Sequence, residues 1–572
     1  MNHSPSIARD IVDGLMAGGV RHVVLAPGSR SAPLAYEVQA ADRAGRLVMH
    51  VRVDERAAGF LAVGLAKLSR QPVAVVTTSG TAVANLHPAV LEAHHGLVPL
   101  IVLSADRPRE LRGIGANQTT IQPGMFGETL RWEAELTAED EVADRCRVIA
   151  EAVRAARCGG EGTGGSAGID LAGPVHVNVA LREPLVPDLD APPRAGWPTE
   201  RVGGDVPTRP VERFPLTLPE RTLVILGDLP GPSDARTLAT ALGRLGLPVV
   251  AEPFGEHPLG PTVLPHGPLL LGTSWFTENP PERIVVAGRV TLSRSVRAAL
   301  TATPERVTYL GVGPRWLGPS YPVGEQISGG AALLAPRLVE GADPSEWLSS
   351  WRAASKAVAE AISPSLQWGT GPGLAAGLVA ALPPDSTLML GSSNSVRDLD
   401  LSADWTVVDT IRVVANRGLA GIDGVVSTAV GLALSGAGPT YALVGDLTFL
   451  HDVNALLIGP DEPRPDLTVI VANDDGGGIF STLEPGEAER ADDFERIFGT
   501  ATGARIEDLA HAYGARYARA GSPEELSTLV RERPSGLRVV EVVLDRSRHR
   551  LLRDHLRALA ESATGSLRRA GT

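Results

Sequence analysis

The 572-residue chain is nearly without lysine. Only Lys67 and Lys356 occur, so of 53 basic residues 53 − 2 = 51 are arginine. The number of arginines therefore carries no argument, and only their positions do. Basic charge is in deficit overall. The formal net charge of −13 argues against a nucleic-acid partner, because phosphate binding needs basic surface. Cysteine is scarce too. Cys146 and Cys158 make neither a disulfide framework nor a metal-ligand spacing, so a reducing, cytoplasmic setting is expected. No apolar run is long enough to span a bilayer. The first residues, MNHSPSIARDIVDGLMAGG, lack the basic region and apolar core of a secretion signal.

What is present is alternation. Short apolar runs such as HVVLAP (22–27), LVMHVRV (47–53), PVAVVTT (72–78) and LIVLSA (100–105) are separated by helical patterns such as ERAAGFLAVGLAKLSR (55–70). The pattern resumes with RTLVILG (221–227), LPVVAE (247–252), RIVVAG (283–288) and RVTYLG (306–311). It returns a third time with STLMLG (386–391), PTYALVG (439–445), DLTVIVA (466–472) and LRVVEVV (537–543). Strands alternating with helices predict parallel sheets covered on both faces. The expectation is an α/β protein of three doubly wound parallel-sheet domains. They cover residues 1–185, 216–350 and 366–560, with a Pro-rich linker over 186–215. The glycine-rich stretch at 158–168 reads as a surface loop, and the tail 563–572 as disordered.

Two carboxylate positions stand out. Asp446 follows the strand run TYALVG, and Asp474 follows DLTVIVAN, 474 − 446 = 28 residues later. That distance suits one helical crossover between parallel strands, and ligands bind beyond the carboxyl ends of such strands. Two strand-end carboxylates with Gly476, Gly477 and Gly478 between strand and helix suit a hard cation shared with a phosphate group. Each piece alone also suits a helix cap or a polar turn.

Gly445-Asp446 followed by Asn473-Asp474 resembles the metal-binding pattern of thiamine diphosphate enzymes. It departs from the general form at Leu447, where a second glycine is usual, and at Asp474, where asparagine is usual. The resemblance implies thiamine diphosphate held through Gly445, Asp446, Leu447, Thr448, Asn473 and Gly477. It further implies Mg²⁺ or Mn²⁺ held by Asp446, Asp474 and the carbonyl of Gly476. It gives Glu55, in VDER (53–56), the part of the glutamate that hydrogen-bonds the cofactor's aminopyrimidine. It also implies a homo-oligomer, dimer or tetramer, with sites at subunit interfaces.

Further motifs narrow the resemblance. APGSRSAPL (26–34), TTSGTAVANLHPAV (77–90), SADRP (104–108), GANQTTIQPGMF (115–126), ANRGLAGIDGVVSTAVGLAL (415–434), VGDLTFLHD (444–452) and NDDGGGIF (473–480) are similar to those of the 2-succinyl-5-enolpyruvyl-6-hydroxy-3-cyclohexene-1-carboxylate synthases of menaquinone biosynthesis. Leu447 is regular in that family. The implied reaction decarboxylates 2-oxoglutarate and adds the succinyl fragment to isochorismate. Both substrates are dicarboxylates, for which guanidinium forks are suited. The resemblance places Ser29, Arg30, Arg107, Asn117, Gln118, Ser393, Arg397 and Arg417 in the substrate pocket. Arg294, in GRVTLSRS, adds a contact from the central block, and Ile479 and Phe480 form an apolar wall. Ile422 wedges between the cofactor rings. Rival readings are a thiamine diphosphate carboligase acting on small monocarboxylates and a non-catalytic nucleotide-binding α/β protein.

Overall fold

The computed structural model describes residues 3–137, 139–158, 172–187, 196–197, 214–229, 233–254, 262–311, 318–328, 334–404 and 411–570. The expected linker and glycine-rich loop lie largely outside these residues.

The Val- and Ile-rich runs form strands because they are buried on both faces, as parallel strands are. The first sheet holds β1 (His22–Leu25), β2 (Val48–Val51), β3 (Val73–Thr77), β4 (Leu100–Asp106), β5 (Trp132–Leu136) and β6 (Pro174–Ala180). Its order is β2-β1-β3-β4-β6-β5, with every pair parallel. Next come β7 (Phe214–Leu218), β8 (Thr222–Leu226), β9 (Val249–Ala251), β10 (Arg283–Ala287), β11 (Val307–Gly311), β12 (Glu325–Ser328) and β13 (Leu334–Leu338). They make a five-stranded sheet, β12-β11-β10-β8-β9, and a separate β13-β7 pair. The last sheet holds β14 (Thr387–Leu390), β15 (Arg412–Ala415), β16 (Thr440–Gly445), β17 (Leu467–Asn473), β18 (Arg516–Arg519) and β19 (Leu537–Val543). Its order is β15-β14-β16-β17-β19-β18, again all parallel. The α/β class with parallel sheets is therefore what the chain adopts.

The chain divides into two compact units. One comprises Met1–Val211, Arg417–Ala437 and Asp452–Pro465; the other comprises Glu212–Asn416, Gly438–His451 and Asp466–Thr572. In the first, the helix Glu55–Ser69 packs on the helix Val425–Leu434 at backbone distance. A Cβ on Gly64 would lie 2.2 Å from the Thr428 carbonyl oxygen, so only glycine fits there. In the second, a core of Trp275, Trp347 and Trp351 is closed by Leu552, Leu556 and Ala560 of the C-terminal helix, His549–Ala570.

That helix corrects the expectation of a disordered tail. It runs through residues 563–570 because Ala560 and Thr564, one turn apart on one face, are both buried. Among the described residues, no helix is long and apolar enough to cross a membrane.

Candidate active site

In the first unit the predicted residues gather beyond the carboxyl ends of the strands. Asp106 ends β4 and Arg107 follows it. Arg107 is 9% exposed. Its Nη1 donates to the Gln118 carbonyl at 2.6 Å and to Ser79 Oγ. Arg30, in the loop after β1, donates to the Leu181 carbonyl at 3.0 Å and lies 3.7 Å from the Glu183 carboxylate. Burial, then the charge of Arg30, lowers the pKa of Arg107, while Asp106 opposes the shift. Two cations held this close favour an anion between them.

The cluster rests on buried polar groups. Asp106 accepts from the Arg107 amide at 2.7 Å and from Asn178 at 3.0 Å, and it pairs with Arg112 at 2.9 Å. Gln122 bonds Asn178 at 2.8 Å and accepts from the Gly80 amide at 3.0 Å. Gln118 has a positive φ of 51° and donates to the Ser79 carbonyl at 3.0 Å. Ser29 and Asn117 are exposed on the neighbouring loops.

Glu55 opens its helix one residue after the N-cap. Asp54 caps it by accepting from the Ala57 amide at 3.1 Å, and Asn454 donates to the other Asp54 oxygen at 2.9 Å. The cap leaves Glu55 half-buried, with Asn85 donating to its carboxylate at 3.3 Å. Arg417 is buried and Ile422 half-buried in the same unit. The turn between them is held by Glu92, which accepts from the Gly418 and Leu419 amides at 2.9 and 3.0 Å.

In the second unit Asp446 follows β16 directly and Asp474 follows β17, on neighbouring parallel strands. Asp446 is 3% exposed. Burial, then the charge of Asp474, pushes its carboxyl up to about 7, against the pull of the Leu447 and Gly476 amides. A pair of carboxylates that repel inside a buried turn fits a divalent cation, which would reverse the repulsion. Gly445, Leu447 and Thr448 surround Asp446. Gly476 and Gly477 form the turn after Asp474, where the Gly477 amide donates to the Gly499 carbonyl at 2.7 Å. Asn473 donates to Glu541 at 2.6 Å and accepts from the Asp475 amide at 3.0 Å. Ile479 is half-buried, and the exposed Phe480 packs its ring 5.5 Å from that of Phe498.

Ser393 and Arg397 lie beyond β14 in this unit. Arg397 donates to the Ser393 carbonyl at 2.8 Å. A cavity of about 370 Å³ is lined by Arg294, Arg397, Arg553, Arg557, Asp400 and Thr482, among others. Burial, then Glu252, raises the pKa of Asp400, which Arg397 opposes. Glu252 also fixes the loop before Arg294, accepting from the Thr291 and Leu292 amides at 2.8 and 2.7 Å. Four guanidiniums around one cavity suit a carboxylate ligand.

Another polar cluster looks catalytic and is not accessible. Ser104 Oγ lies 2.6 Å from His176 Nε2, and His176 Nδ1 lies 2.7 Å from Glu133. That is the connectivity of an acyl-transfer triad, yet Ser104 and His176 are fully buried. The set cross-links β4, β5 and β6.

Known proteins resemble this chain over nearly its whole length. A family model described as thiamine pyrophosphate enzyme, N-terminal TPP binding domain, matches residues 5–126. A protein of Saccharopolyspora erythraea named 2-succinyl-5-enolpyruvyl-6-hydroxy-3-cyclohexene-1-carboxylate synthase is 43% identical over 98% of this chain and 100% of its own. Proteins of the same name in Nocardia farcinica and Rhodococcus jostii are 45% and 44% identical, over 98% of this chain and 99% and 100% of theirs. The chain belongs to this synthase family.

Within the synthase fold, several residues went unseen in the sequence. Ser79 sits inside a recognised motif, and its place just beyond β3 is the signal that could have found it. Gln122 also sits inside a recognised motif, GANQTTIQPGMF, whereas Asn178, Asp398, His549 and Arg553 carry no such signal, because their partners are distant in the chain. His549 Nε2 lies 2.7 Å from Asp474 Oδ2, and Arg553 bonds Asp398 at 2.8 Å and Asn394 at 2.9 Å.

Proposed function

We propose that the chain decarboxylates 2-oxoglutarate and joins the succinyl fragment to isochorismate, giving 2-succinyl-5-enolpyruvyl-6-hydroxy-3-cyclohexene-1-carboxylate and CO₂ in menaquinone biosynthesis. The observation that carries this reading is the pair Asp446 and Asp474 beyond β16 and β17, in a chain alike over its whole length to synthases of that name. When bound, thiamine diphosphate supplies a carbon acid that adds to 2-oxo acids and takes up the electrons of decarboxylation. Glu55 holds the proton at the aminopyrimidine, the kind of acid–base contribution worth about 10²–10⁴-fold. Asp446, Asp474 and the Gly476 carbonyl would hold Mg²⁺ or Mn²⁺, and Gly445, Leu447, Thr448, Asn473 and Gly477 would hold the diphosphate.

Substrate selection rests on the arginines. Arg30, Arg107 and Arg417, with Ser29, Asn117 and Gln118, take carboxylates from one unit. Ser393, Arg397 and Arg294 do so from the other. Ile422 would pack against the rings of the bound cofactor. Ile479 and Phe480 exclude water, which favours loss of a charged carboxylate. A homo-oligomer with sites at subunit interfaces and a cytoplasmic location complete the reading.

The experiment is product formation by purified protein with thiamine diphosphate, Mg²⁺, 2-oxoglutarate and isochorismate, followed by mass spectrometry, beside a reaction with pyruvate. The expected result is an adduct from the dicarboxylate pair alone. Turnover of pyruvate instead would leave the cofactor role and overturn the substrate assignment.

A further inference from the structure

We infer that His549 is a positioning residue for the metal ligand Asp474, holding one carboxylate oxygen through its ring N–H and leaving the other to the cation. The inference rests on the thiamine diphosphate reading above. His549 is 3% exposed, and its Nε2 lies 2.7 Å from Asp474 Oδ2. An ionised carboxylate only accepts, so Nε2 carries the hydrogen.

The surroundings are built for the pair. A Cβ on Gly478 would lie 1.9 Å from Asp474 Oδ2 and 3.1 Å from His549 Cδ2. Glycine at 478 is thus what lets the carboxylate and the ring meet. The ring is also fixed in place. It opens the C-terminal helix, whose next residues are tied down on the same side. Arg550 Nε donates to the Ser481 carbonyl at 2.8 Å, and Arg553 reaches Thr482 at 3.2 Å and Asp398 at 2.8 Å.

The chemistry explains why this chain needs such a partner. An asparagine in place of Asp474 would offer one oxygen to a cation and an NH₂ to its surroundings. An aspartate offers two equivalent acceptors beside a second buried carboxylate, Asp446. A donor on one oxygen restores the asymmetry and spreads the negative charge. Groups that orient a metal ligand in this way typically carry a 10–100-fold share of metal affinity.

The test is Mn²⁺ binding by the full-length protein, read as free Mn²⁺ by electron paramagnetic resonance with thiamine diphosphate present, beside the thermal midpoint of the cofactor-free protein. His549→Leu keeps bulk without a donor and should weaken Mn²⁺ binding about 10–100-fold, with the midpoint little changed. His549→Gln keeps a donor and should recover most of the loss. In an Asp474→Asn background the His549→Leu effect should largely vanish. Wild-type affinity in His549→Leu, no recovery in His549→Gln, or an undiminished effect in the Asp474→Asn background would each overturn the inference. Wild-type protein that takes up neither Mn²⁺ nor thiamine diphosphate would overturn the cofactor reading itself.

Discussion

The first and last sheets are built on one plan and charged in opposite senses. Counted from its own first strand, each runs 2-1-3-4-6-5. The residue after strand four is Arg107 in one and Asp474 in the other. Beyond strand three stand Ser79 and Asp446. Beyond strand two stand Glu55 and Arg417. In the first sheet the strand-four cation is satisfied by its neighbours, through Ser79 and the Gln118 carbonyl. In the last, burial and then the charge of Asp474 raise the pKa of Asp446. Topology therefore fixes where a ligand can sit, while single residues at the strand ends decide whether that place attracts carboxylates or a cation. In the first place Arg107 is hydrogen-bonded within the fold; in the last, two like charges stand side by side, a repulsion that a cation would relieve.

Glu55 is the acid that the proposed reaction uses on the side of Arg107, so removing it should break the comparison most. Glu55→Gln should lower turnover by about 10²–10⁴-fold while Mn²⁺ and thiamine diphosphate uptake, measured by titration, stay within a few-fold. Equal loss of binding and turnover would mean that Glu55 serves the fold. Arg107→Lys comes next. It keeps the charge but not the planar, multi-donor guanidinium that suits bidentate carboxylate binding. A fall of about 10–100-fold in kcat/KM, equivalent to ~1.4–2.7 kcal/mol, is expected with the cation affinity of the other sheet unaltered. Full activity in the lysine variant would reduce the role of Arg107 to charge alone.

A carboxylate that holds the frame rather than a ligand gives the control. Asp452 is fully buried and accepts from the Ser427 amide at 2.7 Å and from Ser427 Oγ at 2.9 Å. Burial pushes its carboxyl up to about 7 from an ordinary 3.8. The folded chain thus keeps a proton between those values that the unfolded chain has lost. Stability falls as pH rises through this window and levels off above it, by roughly 4 kcal/mol at most. Asp452→Asn should flatten this slope by several degrees in thermal midpoint between pH 5 and pH 8. Parallel slopes in the two proteins would show that the group does not titrate there.

The parts of this plan that were legible are those written locally. The core strands, such as β1, β3, β4, β16 and β17, are dominated by apolar residues, and Arg107, Asp446 and Asp474 are the first residues past β4, β16 and β17. β5 and β18 were missed because they are edge strands, only partly buried and carrying charge. β6 was missed although it is wholly buried, because His176 and Asn178 interrupt its apolar pattern to bond Ser104. The C-terminal helix is not legible, and its end reads as a disordered tail, because its polar composition hides the single buried face. His549 and Arg553 lie 75 and 155 residues from Asp474 and Asp398, and no local period encodes such a link.

The smallest effect compares two backbones that are nearly superimposable. Gly80, beyond β3, has φ 81° and ψ −133°. Ser393, beyond β14, has φ 73° and ψ −132°. This region is open to glycine and costs other residues about 1–3 kcal/mol. The first sheet meets the requirement with glycine, and the last keeps a hydroxyl there at the expense of strain. Ser393→Gly should therefore stabilise the protein by about 1 kcal/mol, since part of the strain relief is offset by the greater freedom of glycine in the unfolded chain. In a chain of 572 residues that gain should appear as a rise of roughly 1 °C in thermal midpoint. If the hydroxyl contacts substrate, kcat/KM should fall in the same variant, and Ser393→Ala should lose activity without the gain in midpoint. A more stable Ser393→Gly protein with unimpaired kcat/KM would show that the strained serine is not part of the pocket. A variant no more stable than the parent would show that the turn beyond β14 relaxes without glycine, and the likeness to Gly80 would end at the backbone angles.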